Sequence, residues 1–262
     1  PMNLSLLESM PIPAVYAVVV LLMLVACEIG HQFGSLVQRR TAEVIPASMG
    51  PMVGGLLGML AFVLAMTFNM AASRYDLKRT NVLEEANAIG TAYLRSDLID
   101  AQHGAEVKSL LREYVDIRLQ AASGAADLNA VLRRSIEIHQ LLWAEVSAAA
   151  LGAPSANTSL MVQATNAVID MHETRVNAAV HSRIPRTIWV ALFAISTLTM
   201  LTMGTQTGLT GKRALVAVLP LSLAFAALIV LVVDLDRPQK GLIKVSQQAM
   251  VDLQRGIGSP SQ

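Results

Sequence analysis

The sequence predicts an all-α membrane protein: four transmembrane helices, with a helical bundle inserted between the second and the third. Three observations carry this. Of 262 residues, 53% are hydrophobic and only 15% charged, where a soluble domain carries about 25% charged residues. The charge deficit is local, because Met10–Cys27, Ile45–Ser73, Thr187–Gly211 and Ala214–Val233 contain no Asp, Glu, Lys or Arg. Between the two pairs of runs, residues 74–186 hold thirteen acidic and twelve basic side chains. The expected organisation is therefore a first transmembrane pair (10–73), a cytoplasmic helical domain (74–186), a second transmembrane pair (187–235) and a C-terminal helix and tail (236–262).

Each uncharged run reaches or approaches the roughly 20 residues that a helix needs to cross about 30 Å of hydrocarbon. The first run lacks a basic leading segment and a small-residue cleavage site, so it reads as a span rather than a secretory signal. Cys27, the one cysteine, lies in that span and can form no intrachain disulfide; apolar packing is its expected role.

The second run continues into charged sequence without a helix breaker. No Pro occurs from Ala71 to Asp97, and the only Gly is Gly90. One helix is expected from Gly50 to Arg95, about 70 Å long at a rise of about 1.5 Å per residue. In the inserted segment, Val107, Leu110, Leu111, Tyr114 and Ala121 recur at helical spacing. Leu128, Val131, Leu132, Ile138, Leu142 and Val146 repeat the pattern, as do Met161, Ala164, Val168, Met171 and Ala179. Turns are expected near 97–104, 123–127 (Gly124, then Asp127 as an N-cap) and 152–157.

Orientation follows from flanking basic residues. Arg39, Arg40, Lys212 and Arg213 fall on one side; Arg74, Lys78, Arg79, Arg183, Arg186, Arg237, Lys240 and Lys244 fall on the other. The richer side places both termini and 74–186 in the cytoplasm.

Several function classes drop out. A net charge of +1, with basic residues spread along the chain, implies no nucleic-acid partner. "GPMVGGLLG" lacks the Lys-Ser/Thr of a phosphate loop, and no nucleophile elbow occurs, so no enzyme and no cofactor are expected. Glu28 and His31 form a Glu-x-x-His pair, but a di-iron site needs a second copy and further carboxylates. An interfacial anchor, with Glu28 pairing Arg39 or Arg40, is the expected role, and no metal is predicted. His103, His139, His172 and His181 read as surface or core residues. In "DLDRP", Asp234, Asp236 and Arg237 are expected to set span depth and dock the C-terminal helix, and Pro238 to end the last span.

Two longer blocks carry a resemblance. "FNMAASRYDLKRTNVLEEANAIGTAYLRSDL" (68–98) and "VLVVDLDRPQKGLIKVSQQAM" (230–250) look like the signature blocks of the bacterial bestrophin-like membrane family, which distantly resembles bestrophin channels. With the spacing of the spans, the resemblance covers nearly the whole chain. It implies a homo-oligomeric ion channel in the bacterial inner membrane, built from five subunits and conducting inorganic ions, with the second span lining the pore. On that resemblance the hydrophobic neck falls on Leu60, Leu64 and Phe68. Asn69 and Ser73 share a small-and-polar stripe with Gly58, Phe62 and Ala65 that reads either as pore lining or as a tight helix–helix interface. Glu84 and Glu85 would form an acidic ring in a cytoplasmic vestibule, against loose charge balancing with Lys78 and Arg79. The chain also departs from bestrophins: Asn69 stands where an Arg often follows the Phe, Tyr75–Asp76 replaces paired aromatics, and no acidic cluster follows the last span. The other reading is a membrane-anchored interaction or regulatory protein whose bundle binds a partner without conduction.

Overall fold

The computed structural model describes residues 10–40, 49–124, 127–180, 184–211, 213, 215–237 and 241–258, with the side chains of 179, 180 and 215 left aside. Arg183, Lys212, Pro238 and Lys240, His181, and the side chain of Ala179, all of which carry expectations above, lie outside them. The described residues form eight α-helices: α1 (Ile12–Arg40), α2 (Gly50–Arg95), α3 (Ala101–Ser123), α4 (Leu128–Gly152), α5 (Ala156–Val180), α6 (Arg186–Thr210), α7 (Leu215–Asp236) and α8 (Gln248–Gly258). A 3₁₀ turn, Ser96–Leu98, follows α2. Four helices are long and apolar enough to cross a membrane: α1, α2, α6 and α7.

The helix ends form where local chemistry dictates. Asp100 accepts from the amide of Gln102 at 3.0 Å, and Asp127 from that of Asn129 at 3.1 Å, so each carboxylate caps the donors that a helix start leaves open. Ser155 and Thr158 cap α5 reciprocally: each backbone N–H donates to the other's hydroxyl, at 2.9 and 3.1 Å. Gly124 and Gly211 close α3 and α6 in the left-handed conformation, φ 74° and 69°, which a Cβ disfavours.

The chain divides into two compact units, with α2 contributing to both. The first comprises residues up to Arg74 and Arg183–Ile243; the second comprises Tyr75–Ser182 and Lys244–Gln262. The 236–262 segment therefore splits, and α8 belongs with α3–α5.

In the span unit, α1 packs most extensively on α6 and also meets α7. The α1–α6 contact is made through glycine. Gly30 and Gly34 on α1 face Gly204 and Gly208 on α6, each pair four residues apart. A Cβ on Gly30 would strike the Leu201 carbonyl oxygen, one on Gly34 the Thr205 carbonyl, one on Gly204 the Cys27 carbonyl, and one on Gly208 the His31 carbonyl. Backbone thus meets backbone over two turns, the small-xxx-small solution to packing where lipid offers no hydrophobic drive. At the other end, Asp234 accepts from the amides of Leu242 (2.7 Å) and Ile243 (2.9 Å), turning the chain after α7. Asp236 accepts from the Ile184 amide at 3.1 Å and faces Arg74 at 3.8 Å, tying the end of α7 to the segment that leads into α6 and to the middle of α2.

In the helical unit, Ala86, Ile89 and Ala92 of α2 close a core with Val107, Leu111, Tyr114, Ile138, Leu142, Met161 and Val168. Met250 and Ile257 of α8 complete it. Arg112 Nε donates to the Ile257 carbonyl at 2.9 Å, which satisfies an acceptor at the end of α8.

Candidate functional site

Helix α2 carries two features that bear on function, one in each unit. Its membrane half buries a single stripe, Val53, Leu60, Leu64, Thr67 and Ala71. The face turned away from that stripe holds Gly58, Phe62, Ala65, Asn69 and Ser73, all exposed. A Cβ at Gly54, Gly55 or Gly58 would meet nothing within 4 Å among the described residues, and those residues leave this small-and-polar face uncovered.

The three residues expected in the neck differ in exposure. Leu60 is 0% exposed and Leu64 4% exposed, whereas Phe68 is 40% exposed. Residues four apart on a helix advance about 40° per step, so Phe68 has rotated roughly 80° from Leu60 and leaves the inward stripe. Leu60 and Leu64 pack inside the chain's own fold. Phe68, Asn69 and Ser73 remain on the open side.

The second feature is a polar node inside the helical unit. Glu85, expected in an acidic vestibule, is 0% exposed; Glu84, its neighbour, is exposed. One step of about 100° along the helix separates an interior carboxylate from a solvated one. Glu85 takes Arg118 as a fork, Nε at 3.0 Å to one oxygen and Nη2 at 3.0 Å to the other. The Tyr114 hydroxyl donates to it at 2.7 Å and Arg175 Nε at 3.2 Å. Arg175 Nη2 lies 3.2 Å from His172 Nδ1. The same Nδ1 lies 3.0 Å from the Tyr114 hydroxyl. His139 stacks edge-on against His172, ring centroids 4.7 Å apart, and lies 4.9 Å from Tyr114. Four helices meet here: α2 gives Glu85, α3 Tyr114 and Arg118, α4 His139, and α5 His172 and Arg175.

The electrostatics follow from burial and from the two guanidinium groups. Burial alone would raise the Glu85 carboxyl. The Arg118 and Arg175 charges and the hydrogen bonds from Arg118 and Tyr114 outweigh it and hold the group below its ordinary value. Burial and the Glu85 charge push the Tyr114 phenol well above its usual range. Burial drives His139 down to about 4. Burial, then the charge of Arg175, takes His172 to about 3. At neutral pH the node holds one carboxylate, two guanidinium groups and two neutral imidazoles.

The Glu-x-x-His pair also differs from expectation. Glu28 pairs with Arg213 at 3.2 Å, not with Arg39 or Arg40, and accepts from Gln32 at 3.3 Å. His31 Nδ1 contacts the Thr207 hydroxyl at 3.1 Å. The fold brings α1 against the end of α6 and the start of α7, so those elements supply the partners.

A family model, the bestrophin-like domain, matches residues 15–250. The chain belongs to the bestrophin-like family. No curated protein matches its sequence. Among solved structures, this bestrophin-like chain is similar to a bacterial bestrophin homologue from Klebsiella pneumoniae carrying a point mutation, with a TM-score of 0.66 at 16% identity. A second mutant of that homologue gives 0.65 at 17%. A membrane protein with a single substitution gives 0.67 at 15%. All three likenesses cover 94% of this chain and 97% of the other. At such identities the shared property is the fold, over nearly its full length.

Reading from the sequence missed Arg118, Arg175 and the pairing of His139 with His172. A signal was present. Arg118 follows Leu111 and Tyr114 at seven and four residues, Arg175 follows Val168 at seven, and His139 follows the core residue Ile138. A charged group in a slot that the helical period reserves for the interior requires a buried partner.

Proposed function

We propose that this bestrophin-like chain is the protomer of a homo-oligomeric ion channel whose pore is lined by the open face of α2. The observation that supports it most is the pairing of Asn69 and Ser73 with small residues on a face the protomer leaves uncovered. Polar groups at a span need partners, and hydrocarbon supplies none. A water-filled axis between copies supplies them. In this reading Phe68 provides the constriction, in a ring that gates by dewetting, and Gly54, Gly55 and Gly58 let neighbouring copies approach closely. The fold of the bacterial bestrophin homologues lends support to a pore between subunits, five being the number the family resemblance implies. Glu84, on the solvated side of α2, is the remaining acidic candidate for the vestibule.

Flux through reconstituted vesicles tests this. Phe68→Ala widens the ring and is expected to raise ion flux about tenfold, the effect of about 1.4 kcal/mol on a barrier. Asn69→Leu removes a polar foothold and should lower flux by a similar factor. Background flux in wild type and both variants, or a monomer in solution, would sink the proposal and favour a non-conducting anchor.

The proposed location is the bacterial inner membrane with the helical unit in the cytoplasm. Leu151, 84% exposed on α4, is a suitable reporter. Leu151→Cys should resist a membrane-impermeant maleimide in intact cells and react after permeabilisation. Reaction in intact cells would reverse the topology.

A further inference from the structure

A cavity of about 340 Å³ opens on the span unit where α1, α6 and α7 come together. It belongs neither to the open face of α2 nor to the Glu85 node. Its lining is graded. Leu24, Val25, Val218 and Leu219 make one part; Glu28, His31, Thr207 and Arg213 make the other. Glu28 and His31 follow the uncharged run of α1, and Arg213 precedes that of α7. The polar part therefore lies where the spans leave hydrocarbon, and the apolar part lies deeper along the same helices.

The polar part presents charges of both signs side by side. Arg213 Nη2 lies 3.2 Å from Glu28 Oε1, with the two side chains 60% and 43% exposed. An ion pair this open to solvent costs little to separate. Its two halves then suit two different groups. A guanidinium forks onto phosphate oxygens, and a carboxylate accepts from a primary ammonium. His31 Nδ1 meets the Thr207 hydroxyl at 3.1 Å in the same polar part.

We propose that this cavity binds a membrane phospholipid with a zwitterionic primary-amine headgroup, of the phosphatidylethanolamine type. Arg213 takes the phosphate, Glu28 the ammonium, and the apolar part receives the first segment of an acyl chain. The volume lies at the small end of ligand pockets, about 300–1,000 Å³, which suits a headgroup and part of one chain. Phosphatidylglycerol offers no cation to Glu28 and brings a net negative charge toward it. Phosphatidylcholine carries its positive charge on a quaternary nitrogen that has no proton to donate.

The test uses the purified full chain in detergent, with dioctanoyl phosphatidylethanolamine, phosphatidylglycerol, phosphatidylcholine and water-soluble phosphoethanolamine as probes. Copies retained per protomer are read by native mass spectrometry, and the thermal midpoint is read alongside. Phosphatidylethanolamine is expected to bind about tenfold tighter than the other two lipids, the size of one charge-assisted hydrogen bond. E28Q should reduce it to the level of phosphatidylcholine. Leu219→Trp, which fills the apolar part without touching the charges, should reduce retention of all three lipids. Should E28Q fail to fold, Arg213→Gln probes the same site through the phosphate, by weakening all three lipids about tenfold. Equal retention of the three lipids by the wild type overturns the proposal, as does a phosphatidylethanolamine preference that survives E28Q or a retention of the three lipids that neither Leu219→Trp nor Arg213→Gln lowers. Phosphoethanolamine binding as tightly as the lipid would also overturn it, because the occupant would then be a soluble phosphate ester.

Discussion

Glu85→Gln is expected to destabilise the helical unit by about 3–5 kcal/mol, the cost of removing one partner from a buried ion pair. The substitution keeps the shape of the side chain, deletes its charge and turns one of its two accepting oxygens into a donating NH₂. What remains is Arg118, 5% exposed, and Arg175, 18% exposed, facing each other across a neutral amide. Neither can shed its proton, since a guanidinium stays charged in proteins. Relief can come only from opening the packing, and the core around Tyr114, Ile138 and Val168 would open with it. Hydrogen exchange over α3, α4 and α5 is the direct readout, with the thermal midpoint as a second. Glu84→Gln is the matched control: the same chemistry one residue away, on the exposed side, should change stability by no more than about 0.5 kcal/mol. Equal effects at the two positions would show that the Glu85 node contributes nothing beyond an ordinary surface charge.

The same node makes the unit acid-sensitive, and the sign can be worked out. His139 and His172 are held neutral, at about 4 and about 3 against an ordinary 6.5. The unfolded chain therefore binds two more protons than the folded chain between those values. Their contribution is fully present above pH 6.5 and is lost as pH falls toward 4 and then 3. The limiting slope is about 2.7 kcal/mol per pH unit for two protons. Glu85 acts in the same direction at lower pH. Its carboxyl is held below 4.5, so its contribution is present above that value and is lost as pH falls through the depressed one. His139→Gln should flatten the decline of the thermal midpoint between pH 6.5 and 5. An unchanged slope would mean that His139 titrates as it does in water.

Gly204→Leu is expected to separate α1 from α6 at a cost of about 3 kcal/mol or more, the upper end of overpacking. The obstacle is the Cys27 carbonyl, which is backbone. A flexible side chain could swing aside from a new Cβ; a carbonyl within a helix cannot move without its hydrogen bond. Gly30, Gly34 and Gly208 meet backbone in the same way, so relief at one point strains the next. Gly54→Ala is the contrast, because its added carbon touches nothing in the protomer and alanine is favoured over glycine in a helix by about 1 kcal/mol. The variants should part in a detergent unfolding series: Gly204→Leu unfolds early, while Gly54→Ala keeps the protomer intact. A loss of oligomer confined to Gly54→Ala would further place the open face of α2 against neighbouring copies. Wild-type stability in Gly204→Leu would show that α1 and α6 do not depend on their backbone contact.

The four spans, the unbroken course of α2 to Arg95, the turn near 97–104 and the start of α4 at Asp127 were all determined by the sequence itself. Each rests on interactions within a turn or two of helix or on the solvent that a continuous run demands, and both can be read without knowing any distant neighbour. The tertiary structure alone decided which face of α2 is covered, and so separated Leu60 and Leu64 from Phe68. It also decided that Glu85 lies inside while Glu84 stays in water. Its partners Arg118 and Arg175 stand 33 and 90 residues away, and no local pattern records such a pairing. The same holds for the glycines. Gly54, Gly55 and Gly58 stand out in the second span, yet a Cβ there would meet nothing among the described residues, while Gly30 and Gly34 are identified as a contact only once Gly204 and Gly208 arrive opposite them. A side chain's own periodicity says that it must find an interior; only the packing of another helix against it says with whom.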